Sequence, residues 1–320
     1  MTRIETVQGA VDASELGPTL VHEHVRFRDE AVAENWPGRY DADAEMAAAL
    51  EAVTAAREHG VRTIVDPTAM FGGRDVRFMK RVADETGVRI VACTGIYTYD
   101  YLPHYFENRS EDMIADHFVE DLEQGVQGSD IRAAFLKCAA DAAGVTEHIE
   151  KLHRAVARAS VRTGAPIMAH SRPASNTGPR QVEIFLEEGV APEKIQIAHT
   201  GDTDDLDYIE GLLATGVWIG LDRYGLDLYL PYEKRNATTA ELLRRGYADR
   251  LFLSQDYCAT IDWFPQEAEE ALIEAGLVRD WSMALIFEQV IPWLREQGVW
   301  DDGVQRRVLE DNPRRWLAGE

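Results

Sequence analysis

The sequence predicts an α/β fold, a single (β/α)8 (TIM) barrel domain over residues 1–320, and three observations predict it. Eight short apolar runs recur along the chain, at 19–25, 61–66, 88–93, 133–138, 166–170, 195–199, 217–222 and 251–256. Their starts lie about 33 residues apart on average, the length of a strand plus a crossover helix. Most are continuously apolar rather than alternating, as expected of parallel strands covered by helices. The competing architecture is a doubly wound open sheet, whose nucleotide-binding forms usually carry a Gly-rich first turn. No G-x-G-x-x-G or phosphate-loop pattern follows any of the eight runs, which favours the barrel.

Taken in order, each run is followed by amphipathic, helix-like spacing. These segments cover 42–59, 75–86, 111–126, 147–163, 178–188, 204–214 and 238–246, with 281–298 as the eighth helix and 302–317 as a terminal one. Gly60, Gly87, Gly164, Gly189, Gly246 and Gly298 fall at or just past helix ends, where a left-handed stop is expected. No linker, repeat or low-complexity stretch divides the chain.

Composition narrows the function classes. Of 320 residues, 45% are hydrophobic and 28% charged, which is ordinary globular usage and excludes a disordered or fibrous chain. Lys and Arg number 33 against 56 Asp and Glu, a net charge of −23. Such a surface repels phosphate backbones and anionic headgroups, so a small molecule is the expected partner rather than nucleic acid or membrane. Cys93, Cys138 and Cys258 are too few and too scattered for a disulfide framework or a Cys-rich zinc site. The first residues lack a basic start followed by an apolar stretch, and no apolar run approaches 18 residues. A cytoplasmic location is therefore expected, with the sequons at Asn108 and Asn236 unused.

The chemistry concentrates where the runs end. The first carries His22-Glu23-His24, the fourth Lys137, the fifth His170, the sixth His199 and the eighth Asp256. In a (β/α)8 barrel the C-terminal strand ends open into one mouth. Side chains alternate along a strand, so His22 and His24 share a face and Glu23 points away. A lone strand-end histidine is usually a hydrogen-bonded structural residue. Four histidines and an aspartate on strand ends are hard to explain so, and this donor set suits Zn, Fe, Co or Mn. The other five histidines, His59, His104, His117, His148 and His153, fall on helices or loops and are expected to be solvated. Lys137 is the odd member, since burial beside cations disfavours an ammonium; it must be neutral, turned away or chemically altered.

The stretches GPTLVHEHV, AAFLKC, PIMAHS, IQIAHTGDT, GLDRYG, LSQDYC and DNPRRWL together resemble the phosphotriesterase family of the amidohydrolase superfamily. Within it, Tyr97 in TGIYTYDYLP, Arg223 in GLDRYG and the DYC-x-x-IDW stretch are similar to the phosphotriesterase-like lactonases. The resemblance runs nearly end to end. It implies two divalent metal ions per chain: His22, His24 and Asp256 on the buried one, His170 and His199 on the exposed one. Carbamylated Lys137 and a hydroxide would bridge them. Two cations bring a bridging water toward neutral pKa and polarise the carbonyl it attacks, and Asp256 would also take the proton. Tyr97 and Arg223 would orient the substrate carbonyl and the lactone ring oxygen, the alternative being ordinary hydrogen bonding at the mouth. Tyr99, Cys258, Ile261 and Trp263 would line an apolar channel for an acyl chain, or simply pack the rim. Asp202, three residues after His199, would assist proton release or orient a neighbour. One departure is Gln255, where the family commonly has His; if Asp256 points into the barrel, Gln255 points toward the helices.

The resemblance implies a hydrolase that opens N-acyl homoserine lactones and related oxo-lactones, with phosphotriesterase side activity. A dedicated phosphotriesterase is the alternative, and a non-catalytic barrel that only binds ligand is the third reading. The family also suggests a homodimer, with Tyr101, Leu102, Tyr105 and Phe106 as an apolar surface for it.

Overall fold

The computed structural model describes residues 2–319. Eight parallel strands stand side by side in chain order: β1 (Thr19–Leu20), β2 (Thr63–Asp66), β3 (Arg89–Gly95), β4 (Phe135–Ala139), β5 (Ile167–His170), β6 (Ile195–Ala198), β7 (Trp218–Leu221) and β8 (Leu251–Leu253). All eight fall within the apolar runs of the sequence except for the last residues of β3 and β4. Between them lie α1 (Ala42–Glu58), α2 (Val76–Thr86), α3 (Glu111–Glu123), α4 (Glu147–Thr163), α5 (Thr177–Glu187), α6 (Leu206–Leu213) and α7 (Tyr232–Arg244). Asp41, Asp75, Ser110, Thr146 and Asp205 cap five of these helices through side-chain oxygens, satisfying amides that the first turn leaves open. Gly87 and Gly164 end α2 and α4 at φ of 72° and 80°, a conformation other residues adopt at a cost.

Strand alternation divides the core in two. Val65, Val91, Cys93, Phe135, Met168, Ala198, Trp218 and Phe252 fill the barrel, and Trp316 covers its N-terminal end against Phe135 and Phe252. The residues between them, such as Ile64, Ile90, Leu136 and Ile197, pack under the helices. The interior is thus filled at one end by apolar side chains, and polar groups collect at the other.

The first run is not one strand. It breaks after Leu20, and Glu23–His24 forms a separate parallel pair with Tyr257–Cys258. Side chains complete the seam between β8 and β1. Ser254 Oγ accepts from the amides of Val21 and His22 at 2.9 and 3.1 Å, and the Asp256 amide donates to the His22 carbonyl at 3.0 Å.

Three helices differ from the sequence reading. Helix α7 begins six residues early, at Tyr232 after Pro231, because its first turns bury charged and polar groups rather than apolar ones. Arg235 donates to the Gly201 carbonyl and to Asp202 there. The eighth helix starts as a π turn, Ile286–Val290, which runs into α8 (Ile291–Glu296). The terminal helix likewise has a π turn at Arg307–Asp311 before α9 (Asn312–Ala318). Pro292 and Pro313 follow these two turns; a proline has no N–H to give to the preceding turn, and the widened turn accommodates its ring. The apolar surface proposed for a dimer is also smaller than expected. Leu102 and Phe106 are buried in the core, leaving Tyr101 and Tyr105 exposed. Among the described residues, no helix is long and apolar enough to cross a membrane.

His153 was expected in solvent and is instead fully buried on α4, stacked on Phe185. Its Nδ1 lies 2.7 Å from the Ile149 carbonyl, which fixes the proton there, so Nε2 accepts from Gln181 Nε2 at 2.9 Å. Burial disfavours the imidazolium and lowers its pKa from 6.5 to about 4. The unfolded chain therefore takes up the proton first. His153's contribution to stability is complete above pH 6.5 and is lost as the pH falls from there toward 4. Between pH 7 and 5 this removes about 2 kcal/mol. Urea unfolding at the two pH values should show His153→Gln lacking about that much of the wild-type loss. Equal pH dependence in both proteins would contradict it.

Candidate metal centre

The polar end of the barrel is built from strand ends and the turns just beyond them. Lys137 stands within β4 and His170 ends β5. His22 lies just past β1, and His24 on the short strand that closes the seam. His199 and Asp256 follow β6 and β8 in the left-handed region, at φ of 62° and 52°. Non-glycine residues are costly there, and such strain clusters at functional sites. The turn at His199 brings its side chain back over the mouth, where alternation from the inward Ala198 would not place it.

These groups converge. Asp256 Oδ1 lies 3.2 Å from both His22 Nε2 and His24 Nε2, and Asp256 Oδ2 lies 3.9 Å from His199 Nε2. One ligand atom each from His22, His199 and Asp256 falls within 4.8 Å of the others, close enough to hold a metal ion. Lys137 Nζ sits 3.4 Å from His22 Nε2 and 3.6 Å from Met168 Sδ. Among the described residues, no carboxylate lies within ion-pair distance of it. His170 is turned differently, its Nε2 held by Asp141 at 2.8 Å and its Nδ1 3.4 Å from the Tyr97 hydroxyl. Its ring centroid is 4.4 Å from that of His199.

What aims the imidazoles is a set of partners that the sequence reading passed over. Asp222 Oδ2 lies 2.9 Å from His22 Nδ1, and its Oδ1 lies 3.0 Å from His199 Nδ1 and accepts from the His199 amide at 2.8 Å. Thr68 Oγ1 lies 2.7 Å from His24 Nδ1. With each Nδ1 engaged outward, the three Nε2 atoms face one another across the mouth, as in metal sites whose ligands are fixed from behind. Asp222 ends the seventh run, so the strand-end rule that singled out Asp256 applied to it equally.

The charges are consistent with a ligand set. Burial holds His22 and His199 below the ordinary imidazole pKa, and lowers His170 to about 4, so the rings are neutral with free lone pairs. Burial also lowers Lys137, which favours the uncharged amine over the ammonium. Burial pushes Asp256 up, but His22, His199 and Arg223 outweigh it and hold the carboxylate well below its usual range. Three buried imidazole nitrogens, an ionised carboxylate and an uncompensated buried amine in one pocket fit metal ions in chemistry and in direction.

Above the cluster opens a cavity of about 760 Å³, its mouth included, lined by His24, Asp256, Tyr97, Tyr99, Arg223, Cys258, Ile261 and Trp263. Arg223 Nε donates to Asp256 Oδ2 at 2.9 Å and its Nη1 to Asp202 Oδ2 at 2.9 Å, so Asp202 touches the cluster through Arg223. The Tyr97 and Tyr99 hydroxyls are hydrogen-bonded to each other. Phe27, Leu226, Leu228, Tyr229, Phe264, Leu272, Val278 and Trp281, with Glu269, complete the lining. Gln255 is fully buried, and neither polar atom of its side-chain amide has a hydrogen-bond partner. Its main-chain carbonyl accepts from Trp281 Nε1 at 2.8 Å.

Comparison with known proteins agrees with this geometry. Residues 2–317 match the model of the phosphotriesterase family. An aryldialkylphosphatase of Saccharolobus solfataricus is 47% identical over 97% of both chains. The solved phosphotriesterase of Mycobacterium tuberculosis superposes with a TM-score of 0.92 at 38% identity, covering 98% of each chain. More distantly, an N-acetyltaurine hydrolase of Tetraodon nigroviridis is 25% identical over 99% of this chain and 98% of its own. With its parallel barrel, its polar mouth and a match along nearly its whole length, the chain belongs to the phosphotriesterase family of hydrolases.

Proposed function

We propose that the protein is a metal-dependent lactonase acting on N-acyl homoserine lactones and related oxo-lactones, with weaker phosphotriesterase activity. The observation that carries this is the shape of the cavity. Tyr97 and Arg223 stand at its polar floor beside Asp256, and the channel above is walled by apolar residues such as Leu226, Ile261 and Trp263. A lactone ring with a long acyl tail has that same division between a polar, reacting end and an apolar extension.

In this reading His22, His24 and Asp256 would hold one cation and His170 and His199 the other, with carbamylated Lys137 as a further ligand. Divalent cations such as Zn, Fe, Co or Mn, when bound there, would supply a water of lowered pKa and polarise the acyl carbonyl. The protein's own groups do the rest. Asp256 accepts the proton from the attacking water, and Arg223, donating to both Asp256 and Asp202, steadies the carboxylates on either side of it. Tyr97 orients the carbonyl oxygen, and Arg223 donates to the ring oxygen as it leaves. Burial favours the uncharged Lys137 amine, which would add to CO2 and release a proton to give the carbamate. Intact mass of the native protein should then show about 44 Da above the unmodified chain, absent in Lys137→Ala, with two metals per chain. An unmodified lysine in fully active protein would contradict it.

A dedicated phosphotriesterase is the second reading, favoured by the relative whose name is aryldialkylphosphatase. The N-acetyltaurine hydrolase among the relatives bears a name that concerns an acyl bond. The deciding experiment measures kcat/KM for a long-chain acyl homoserine lactone and an aryl phosphotriester on wild type and Arg223→Ala. Lactone turnover should fall about tenfold or more in the variant, a loss of about 1.4 kcal/mol per decade. The phosphotriester, with its good leaving group, should lose less. Equal losses would make Arg223 structural, and a wild type far faster on the phosphotriester would overturn the lactonase reading.

A further inference from the structure

Between His22 and His24, Glu23 faces away from the mouth and is fully buried in the seam where the barrel closes. Its Oε1 accepts from the Gln255 amide at 2.9 Å and its Oε2 from the Tyr257 amide at 2.9 Å. The amide between them, that of Asp256, donates to the His22 carbonyl at 3.0 Å. Three consecutive N–H groups are therefore held by two consecutive residues, and the middle one belongs to Asp256, at φ 52°.

We propose that Glu23 is a positioning residue that directs the Asp256 carboxylate into the mouth by clamping the backbone on both of its sides. In an extended strand, amides two residues apart are separated by about 6.8 Å, too far for one carboxylate to accept squarely from both. The left-handed turn at Asp256 draws them together, and a bidentate acceptor in turn makes that turn the favoured state. Only a carboxylate serves. Glutamine would present an NH2 to one of the two N–H groups, and aspartate is one methylene short of the span. Ser254 donates to the same carboxylate while accepting from the amides of Val21 and His22, which ties the clamp to both sides of the seam. The residue between the two histidines thus acts on the third ligand, which lies more than 230 residues away in the chain. The activity arm of the test below rests on the hydrolase reading above; the exchange arm does not.

Hydrogen exchange on metal-free protein reads the clamp directly. In wild type the amides of Gln255 and Tyr257 should be strongly protected. In Glu23→Gln they should exchange about tenfold faster or more, with the amides of β7 unchanged. Glu23→Asp should behave alike, and stands in if the glutamine variant fails to fold. On either substrate, Glu23→Gln should lower kcat about tenfold or more. KM should stay within about twofold, because the channel is untouched. In an Asp256→Asn background the same substitution should cost less than about twofold, since no carboxylate is left to direct. Wild-type amides at 255 and 257 that exchange like those of exposed loops would overturn the proposal, as would losses that multiply in the double variant. Should wild type hydrolyse neither substrate, the functional reading fails while the exchange arm still decides the clamp.

Discussion

Asp256→Asn is expected to lower kcat/KM about 10²–10⁴-fold on lactone and phosphotriester alike, the range spanned by general acid–base groups. The substitution keeps the shape of the side chain and removes its charge. Asp256 is where the two halves of the site meet, its Oδ1 facing His22 and His24 and its Oδ2 accepting from Arg223. Asparagine can keep an oxygen toward one side only. Toward the other it presents an NH2, either against the Arg223 guanidinium or across the imidazole nitrogens that should receive a metal. The proton acceptor is lost in both cases. Because the loss arises at the reacting centre, it should fall on both substrates, unlike that of the Arg223 variant. Metal content measured beside the kinetics separates lost proton transfer from lost metal. A variant that retains wild-type rates would remove Asp256 from the chemistry.

Asp222→Asn is expected to weaken metal retention about 10–100-fold, the usual cost of removing a group that fixes ligands from behind. The Asp222 carboxylate serves two rings at once, His22 through one oxygen and His199 through the other. An amide serves one of them. The ring left facing the NH2 must offer a lone pair at Nδ1, which moves its proton to Nε2 and closes that nitrogen to a metal. Dialysis against a graded chelator, followed by metal analysis, measures the change, and circular dichroism confirms the folded fraction. Retention equal to wild type would show that the two tautomers are set elsewhere.

The barrel was legible because parallel strands covered by helices are apolar throughout, and the runs at 61–66, 88–93 and 195–199 announce themselves. The structure also brings His22, His24, Lys137, His170, His199 and Asp256 to one mouth, in the order in which strand ends supply them. Other features leave no such mark. Asp222 reads in sequence as the last residue of an apolar run, although its carboxylate holds two of the rings. Asp141 follows β4 by two residues with nothing periodic about it. Leu228, Phe264 and Leu272 come from long excursions after β7 and β8, and the helix Gln266–Glu274 buries none of its residues and so shows no apolar stripe. His153 misled because one histidine on a polar-looking helix carries no sign of its inward face; Gln181, 28 positions on, is what makes its burial tolerable.

The seam has a consequence for the order of assembly. Its hydrogen bonds join residues 21–23 to residues 254–257, separations of 232 to 234 along the chain. Contacts so distant in sequence close the largest loop and form late. On a growing polypeptide the carboxylate that shares the pocket of His22 and His24 emerges more than two hundred residues after them. Until then the early strands have no edge to close against, and the histidines have no common target. Hydrolytic competence is therefore acquired at a single late event, the joining of the two ends of the sheet, so that a nascent or prematurely terminated chain is inert.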